Sequence, residues 1–233
     1  MPLVTGGGQP EFTNIFESIT DPSRTIPPWD SVATLGQTAR VVCAQCNQGW
    51  MSSLEVEARR LLTPMIMGQP ATLVSSEMAT IALWATKTHQ MYRFGIVRRP
   101  PLEDELRQVF IQRQPPRGTL TFLAAWNGAP GAAYLDIRAH LQQLTRIGEG
   151  PVWDEGLRAE LLTVRIGYLV VQTEIVFPIV GGVPVRLNPR DREWTREHVL
   201  DIWPLGSAST IWPPPAALDD AGFERLCHRM TTG

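Results

Sequence analysis

Val42-Cys43-Ala44-Gln45-Cys46-Asn47-Gln48-Gly49-Trp50-Met51-Ser52-Ser53-Leu54-Glu55 is the stretch on which the reading of this chain turns. Cys43 and Cys46 form a CxxC pair, a spacing that lets two thiolates grip one tetrahedral zinc from a tight knuckle. Trp50 and Met51 then mark the junction with a helix and are expected to pack beneath the metal. Asn47 has two readings: a turn residue that hydrogen-bonds its own backbone, or a side chain facing a neighbouring catalytic site. A complete zinc site takes four ligands, and the chain has no second CxxC and no HxxxH. On spacing alone, Cys43 and Cys46 are half a zinc site. The rival reading, redox chemistry, asks for CxxC at the head of a helix in a thioredoxin-like βαβ setting. A helix follows here, but no βαβ pattern precedes it.

Outward from this stretch, the pattern is helical from Met51 to about Leu62. Ser52 or Ser53 serves as N-cap, Glu55 and Glu57 lie in the first turns, and Pro64 and Gly68 close the helix. Ser75 or Ser76 caps a second helix, in which Met78, Ile81, Ala82, Ala85 and His89 recur at helical spacing through Tyr92. A third spans Leu102 to about Gln112. Strand signals follow: Thr119 to Trp126, Val183 to Leu187 and Val199 to Trp203. Glu160 to Phe177 reads as one long strand bent at Gly167 or as a hairpin. Ala132 to Leu144 is ambiguous. Asp219 to Met230 reads as an amphipathic helix with Phe223, Leu226 and Cys227 on its apolar side.

Helices first and strands afterwards imply an α+β architecture: a knuckle and helices, then a mainly antiparallel sheet and a C-terminal helix. The organisation expected is an irregular lead-in over residues 1–38, a half-knuckle segment over 39–70, and an α+β domain over 71–233 packed on it. The chain has 233 residues, 43% of them hydrophobic, and a net charge of −2. That suits a globular protein and excludes wholesale disorder, a coiled coil or a collagen-like repeat. No window approaches 18 uncharged apolar residues, and the N-terminus lacks a signal-peptide pattern. A cytoplasmic location with no membrane partner is therefore expected. Of 21 basic residues Lys87 is the only lysine, which reads first as GC-rich coding and second as selection of guanidinium for phosphate contacts.

The segment CxxCNxxWMSxLE, here residues 43–55, together with Trp84-Ala85-Thr86-Lys87-Thr88, resembles a group of bacterial and phage HNH-endonuclease-like proteins. Arg165-Ile166-Gly167 and the pairs Trp203-Pro204 and Trp212-Pro213 resemble that group's C-terminal region more loosely. The resemblance implies a treble-clef-like ββα-metal fold, with a structural zinc held by two knuckles. It further implies a histidine that activates water and a catalytic divalent cation beside the phosphate. The group's first knuckle and Glu-His motif lie upstream of the matching segment, whereas residues 1 to 42 contain no cysteine and no histidine. The expectation is therefore a partial treble clef, a half HNH unit that is truncated or degenerate with respect to phosphodiester cleavage. Such a chain is expected to be nucleic-acid-associated.

Cys43 and Cys46 are the candidate metal ligands. The catalytic candidates are Asn47 and His198, the latter because Arg196-Glu197-His198-Val199 resembles the missing Glu-His motif; a capping or surface role is the other reading of His198. Adjacent residues on a helix point roughly 100° apart, so Cys227 and His228 do not readily share a metal, and Cys227 reads as a small buried thiol. Arg59, Arg60, Lys87, Arg93, Arg98 and Arg99 are the candidate phosphate contacts, against a merely solvated surface. Trp50 and Trp84 read as core residues. The partners expected are DNA, a protein partner or a second copy. A non-enzymatic phage or mobile-element interaction protein is the alternative function.

Overall fold

In the computed structural model, which describes residues 16–17, 25–26, 43–93, 103–128, 135–144, 157–177 and 192–227, most of the helical residues precede the first strand of the main sheet. Strands β1 (Phe16–Glu17) and β2 (Thr25–Ile26) form a small antiparallel pair. A single helical turn, α1 (Ala44–Cys46), widens into a π-type turn over Asn47–Met51 and continues as α2 (Ser52–Ile66). Then come β3 (Ala71–Val74), α3 (Ser75–Tyr92), and α4 (Glu103–Leu106) with a second wide turn to Ile111. The remainder is β4 (Thr119–Ala125), β5 (Leu135–Leu144), β6 (Leu157–Ile166), β7 (Leu169–Phe177), α5 (Arg192–His198), β8 (Val199–Trp203), β9 (Ser209–Trp212) and α6 (Asp220–Cys227). The architecture is α+β, as expected. Arg40 to Val42, Val183 to Leu187 and residues 228–230 of the expected C-terminal helix lie outside the described residues.

The main sheet runs β5-β6-β7-β4-β8, antiparallel throughout. Its central strands are covered on both faces, which explains why β4 is buried along its whole length and reads as a continuous apolar run. Leu123 and Ala125 of β4, with Leu169 and Val171 of β7, face Ala58, Leu61, Leu62 and Met65 of α2 and Met78, Ile81 and Ala85 of α3. The alternate residues Leu120, Phe122, Ala124 and Val170 face Leu218 and the α6 residues Phe223, Leu226 and Cys227. Period-two alternation therefore splits one sheet between two cores. Residues of the 39–70 segment share the first core with the rest.

Two local readings change, and a third is decided between its two alternatives. Helix α2 passes through Pro64 and ends only where Gly68 takes a φ of 77°. The last turn is held from outside: Met65 is fully buried, and the Ile66 carbonyl accepts the Tyr168 backbone N–H at 3.1 Å. Those contacts outweigh the one donor that proline lacks. The cap of α3 is Val74, whose N–H donates to Glu77 Oε2 at 3.1 Å, while Ser75 Oγ donates across to the Ala208 carbonyl at 3.0 Å. Finally, Glu160 to Phe177 is a hairpin in which Ile166 pairs with Leu169 around Gly167 and Tyr168. Gly167 has a φ of 57°, and an added Cβ there would run into the Ile66 carbonyl. Strand β3, pairing with β9 through Leu73 opposite Thr210, and helix α5 are elements the sequence reading did not contain.

Candidate functional site

Cys43 has an extended backbone (φ −69°, ψ 156°) and caps the turn that holds Cys46. The backbone N–H of Cys46 donates to Cys43 Sγ at 3.3 Å, and that of Asn47 donates to the Cys43 carbonyl at 3.0 Å. Cys43 is exposed and Cys46 half-buried. Hydrogen bonds from Cys46, first its N–H and then its side chain, hold the Cys43 thiol below its ordinary pKa. The Cys46 thiol is pushed up, first by its hydrogen bond with Cys43, then by burial and by the Cys43 charge. The Trp50 indole and Arg113 act in the opposite direction. That indole N–H is buried and makes no hydrogen bond of ordinary geometry. The Trp50 ring packs edge-on to Phe110 at 5.8 Å between centroids, with the Arg113 guanidinium 5.9 Å from its centre.

These residues fit one half of a thiolate metal site. The N–H to sulfur bond is the kind of outer interaction that orients a thiolate ligand and offsets its charge. Among the described residues no group of three or more His, Cys, Asp and Glu side chains comes together. Two further donors would have to come from outside those residues or from a second chain. Asn47 is exposed and helical in backbone, and its part in the turn is made by its main chain. His198 is half-buried: its ring stacks on Trp194 at 4.8 Å and Nδ1 lies 2.9 Å from the Trp194 carbonyl. No hydrogen bond joins it to Asn47.

The two stretches that carry the HNH resemblance meet at Glu55. Its Oε2 accepts the Trp84 indole N–H at 3.0 Å, and its Oε1 accepts from Lys87 Nζ. One carboxylate on the first full turn of α2 is thus clamped by two donors one turn apart on α3. Lys87 is 7% exposed at its side chain and Glu55 43%, so the charge being neutralised is chiefly the buried ammonium. Trp84 lines a small cavity together with Leu162, Val164 and Val171 of the sheet. Met51, the last residue of the wide turn before α2, is buried.

The candidate phosphate contacts separate into distinct groups. Arg59 and Arg60 are exposed on α2, and Arg60 pairs with Glu57 at 2.7 Å and Glu77 at 3.5 Å. Lys87 and Arg93 are buried, each in an ion pair with a glutamate. Arg93 is buried and bridges Glu105 and Glu160, each at 2.6 Å. A charge held this way is already matched, and withdrawing it to meet a phosphate would strand the carboxylates. Arg98 and Arg99 lie outside the described residues, as does His228, and so does the side chain of His140.

Cys227 is buried on α6 beside Phe223, as read. His89 is buried, and burial followed by the nearby Arg93 charge pushes its pKa down to about 3. The partners Glu55, Glu105 and Glu160 were not identified from sequence. Glu55 stood within the quoted motif, but only the tertiary pairing of α2 with α3 shows what it binds. Among the described residues no helix is long and apolar enough to cross a membrane. Comparison with family models, with curated proteins and with solved structures gives no match to this chain.

Proposed function

We propose that this chain is an HNH-nuclease-related, nucleic-acid-associated protein that retains the scaffold of a zinc knuckle, a partial treble clef in which Cys43 and Cys46 supply two of four structural zinc ligands. The observation that carries the reading is the Glu55 clamp. The two separate sequence stretches behind the family resemblance are joined side chain to side chain, Glu55 to Trp84 and Lys87. The clamp gives the resemblance a physical basis: it anchors the helix that leaves the knuckle. A zinc there would hold the turn shut by its bonds to sulfur, and the Cys46 N–H would orient the Cys43 thiolate toward it. Phosphodiester cleavage is not part of the proposal, because residues 1 to 42 offer neither the group's Glu-His nor its first cysteine pair. A catalytic divalent cation would enter only if those were supplied.

The nucleic-acid side of the reading rests on Arg59 and Arg60, exposed together on α2. It is tested by fluorescence anisotropy of a labelled DNA duplex across a salt series. The expected result is a log affinity that falls linearly with log salt, with a slope reduced by about 1 to 2 in the Arg59→Ala, Arg60→Ala double variant. Binding that ignores salt, or no binding, overturns this side. The second reading would then take over: a non-enzymatic interaction protein of a phage or mobile element. What favours it is the exposed apolar pair Val74 and Ile211 on the β3–β9 ladder, 46% and 66% accessible.

A further inference from the structure

The turn that holds Cys43 and Cys46 is built apart from the core. None of the residues of α1 is buried. Gly49 breaks the helical path before α2, with φ −91° and ψ −113°, and the space beside it is open for 4 Å. Cys43 caps this turn from an extended backbone with Cys46 three residues on, and the two thiols are close enough to hydrogen-bond to each other, the proximity a disulfide needs. The Cys43 sulfur already lies 3.3 Å from the Cys46 backbone nitrogen. Closing a bond between the two sulfurs therefore moves a solvated turn and leaves Met51 and the core in place.

The surroundings favour a small anionic disulfide. Cys43 is the more exposed sulfur, placed to be attacked or to attack from solvent, and Cys46 sits behind it. Next to Cys46 stands Trp50, flanked by Arg113 and Phe110. Phe110 also lines an open cleft of about 230 Å³ with Leu106, Arg107 and Ile111, and Ile111 is 73% exposed. An apolar cleft with the Arg107 guanidinium in its wall suits a disulfide whose ends carry carboxylates.

We propose that Cys43 and Cys46 form a reversible dithiol–disulfide pair that exchanges with small-molecule disulfides of the glutathione class, Cys43 attacking and Cys46 resolving. The Cys43 sulfur attacks one sulfur of the glutathione disulfide, forming a mixed disulfide and releasing the first glutathione thiolate, which takes up the proton Cys43 gave to solvent. The Cys46 sulfur then attacks the Cys43 sulfur, the Cys43–Cys46 bond forms, and the second glutathione leaves with the second proton. Two protein thiols are oxidised to one disulfide, and one glutathione disulfide is reduced to two thiols. This goes beyond the zinc reading: it uses the same sulfurs but needs no metal.

The test uses the full chain, reduced, stripped of metal by a chelator, exposed to glutathione disulfide and quenched with acid. Peptide mapping is expected to find Cys43 joined to Cys46, reversibly with dithiothreitol, while buried Cys227 remains a thiol. In Cys46→Ser a glutathione adduct accumulates on Cys43; in Cys43→Ser the adduct on Cys46 forms about tenfold more slowly. Both variants change exposed or half-exposed positions, and their far-ultraviolet spectra verify the fold. A pair that stays reduced in excess glutathione disulfide, or adducts that form equally fast on either cysteine, overturns the inference. Zinc added beforehand separates the two readings. Oxidation at an unchanged rate counts against zinc binding and leaves the exchange pair standing, whereas zinc uptake by a pair that never oxidises does the reverse.

Discussion

Glu55 on α2 receives the indole N–H of Trp84 on α3 at 3.0 Å, and its other oxygen receives Lys87, the chain's only lysine. A residue that sequence reading places on a phosphate-binding surface is instead the buried half of an ion pair between two helices. The arrangement accounts for why a glutamate four residues beyond Met51 and a lysine three beyond Trp84 occur together.

Breaking that pair from either side has unequal consequences. Glu55→Ala leaves the buried Lys87 ammonium without its counter-charge and is expected to lower stability by about 2–3 kcal/mol, toward the lower end of what a buried pair shows because Glu55 is itself partly exposed. Lys87→Met keeps the volume and removes the buried charge, and is expected to lower stability by about 1 kcal/mol or less. Urea unfolding of both variants measures the difference; a methionine variant as unstable as the alanine one would refute the assignment.

At the other end of α2, Gly167 is expected not to tolerate a side chain. Its φ of 57° and the Ile66 carbonyl against its Cβ position make Gly167→Ala destabilising by about 2 kcal/mol or more. Gly206→Ala, where nothing lies within 4 Å, should stay within about 0.5 kcal/mol of the parent. Equal shifts in the thermal melts of the two would contradict both the backbone strain at Gly167 and its contact with the end of α2.

His89 gives a pH dependence with a definite sign. Its folded pKa is about 3, against 6.5 when unperturbed. The unfolded chain therefore binds a proton that the folded chain refuses, so stability is unaffected above about pH 6.5 and declines as pH falls from there toward 3. The slope from this one group is up to about 1.4 kcal/mol per pH unit. His89→Gln should flatten the urea midpoint between pH 7 and 5 relative to the parent; an unchanged slope would show that His89 is accessible.

Arg93 bridges Glu105 and Glu160 from the interior. Arg93→Ala strands two buried carboxylates and is expected to lower stability by about 3–5 kcal/mol. A loss below about 1 kcal/mol, read from denaturant midpoints, would mean that the bridge is open to water.

What sequence shows of this fold follows the range of the interactions responsible. Helix α3 was legible because Met78, Ile81, Ala82 and Ala85 repeat along its own face, and that face does pack on the sheet. The end of α2 was not: Pro64 is a local stop signal, and what holds the helix past it is the burial of Met65 and the hairpin turn at Tyr168, a hundred residues on. Strand β3 is four residues long between Pro70 and Ser75, and its partner β9 is remote, so neither carries a signal alone. At the candidate site the CxxC pair was legible because its spacing is local. The fates of Lys87 and Arg93 were not, since a basic side chain on a helix looks the same in sequence whether it meets solvent or a buried carboxylate.

The central claim concerns the metal, and zinc content tests it most directly. The full chain, purified under reducing conditions without added metal, is assayed for zinc by mass spectrometry beside Cys43→Ser and Cys46→Ser. The account predicts zinc bound in the parent in a fixed ratio to protein and lost from both variants. Zinc absent from the parent, or retained equally by the serine variants, would contradict it.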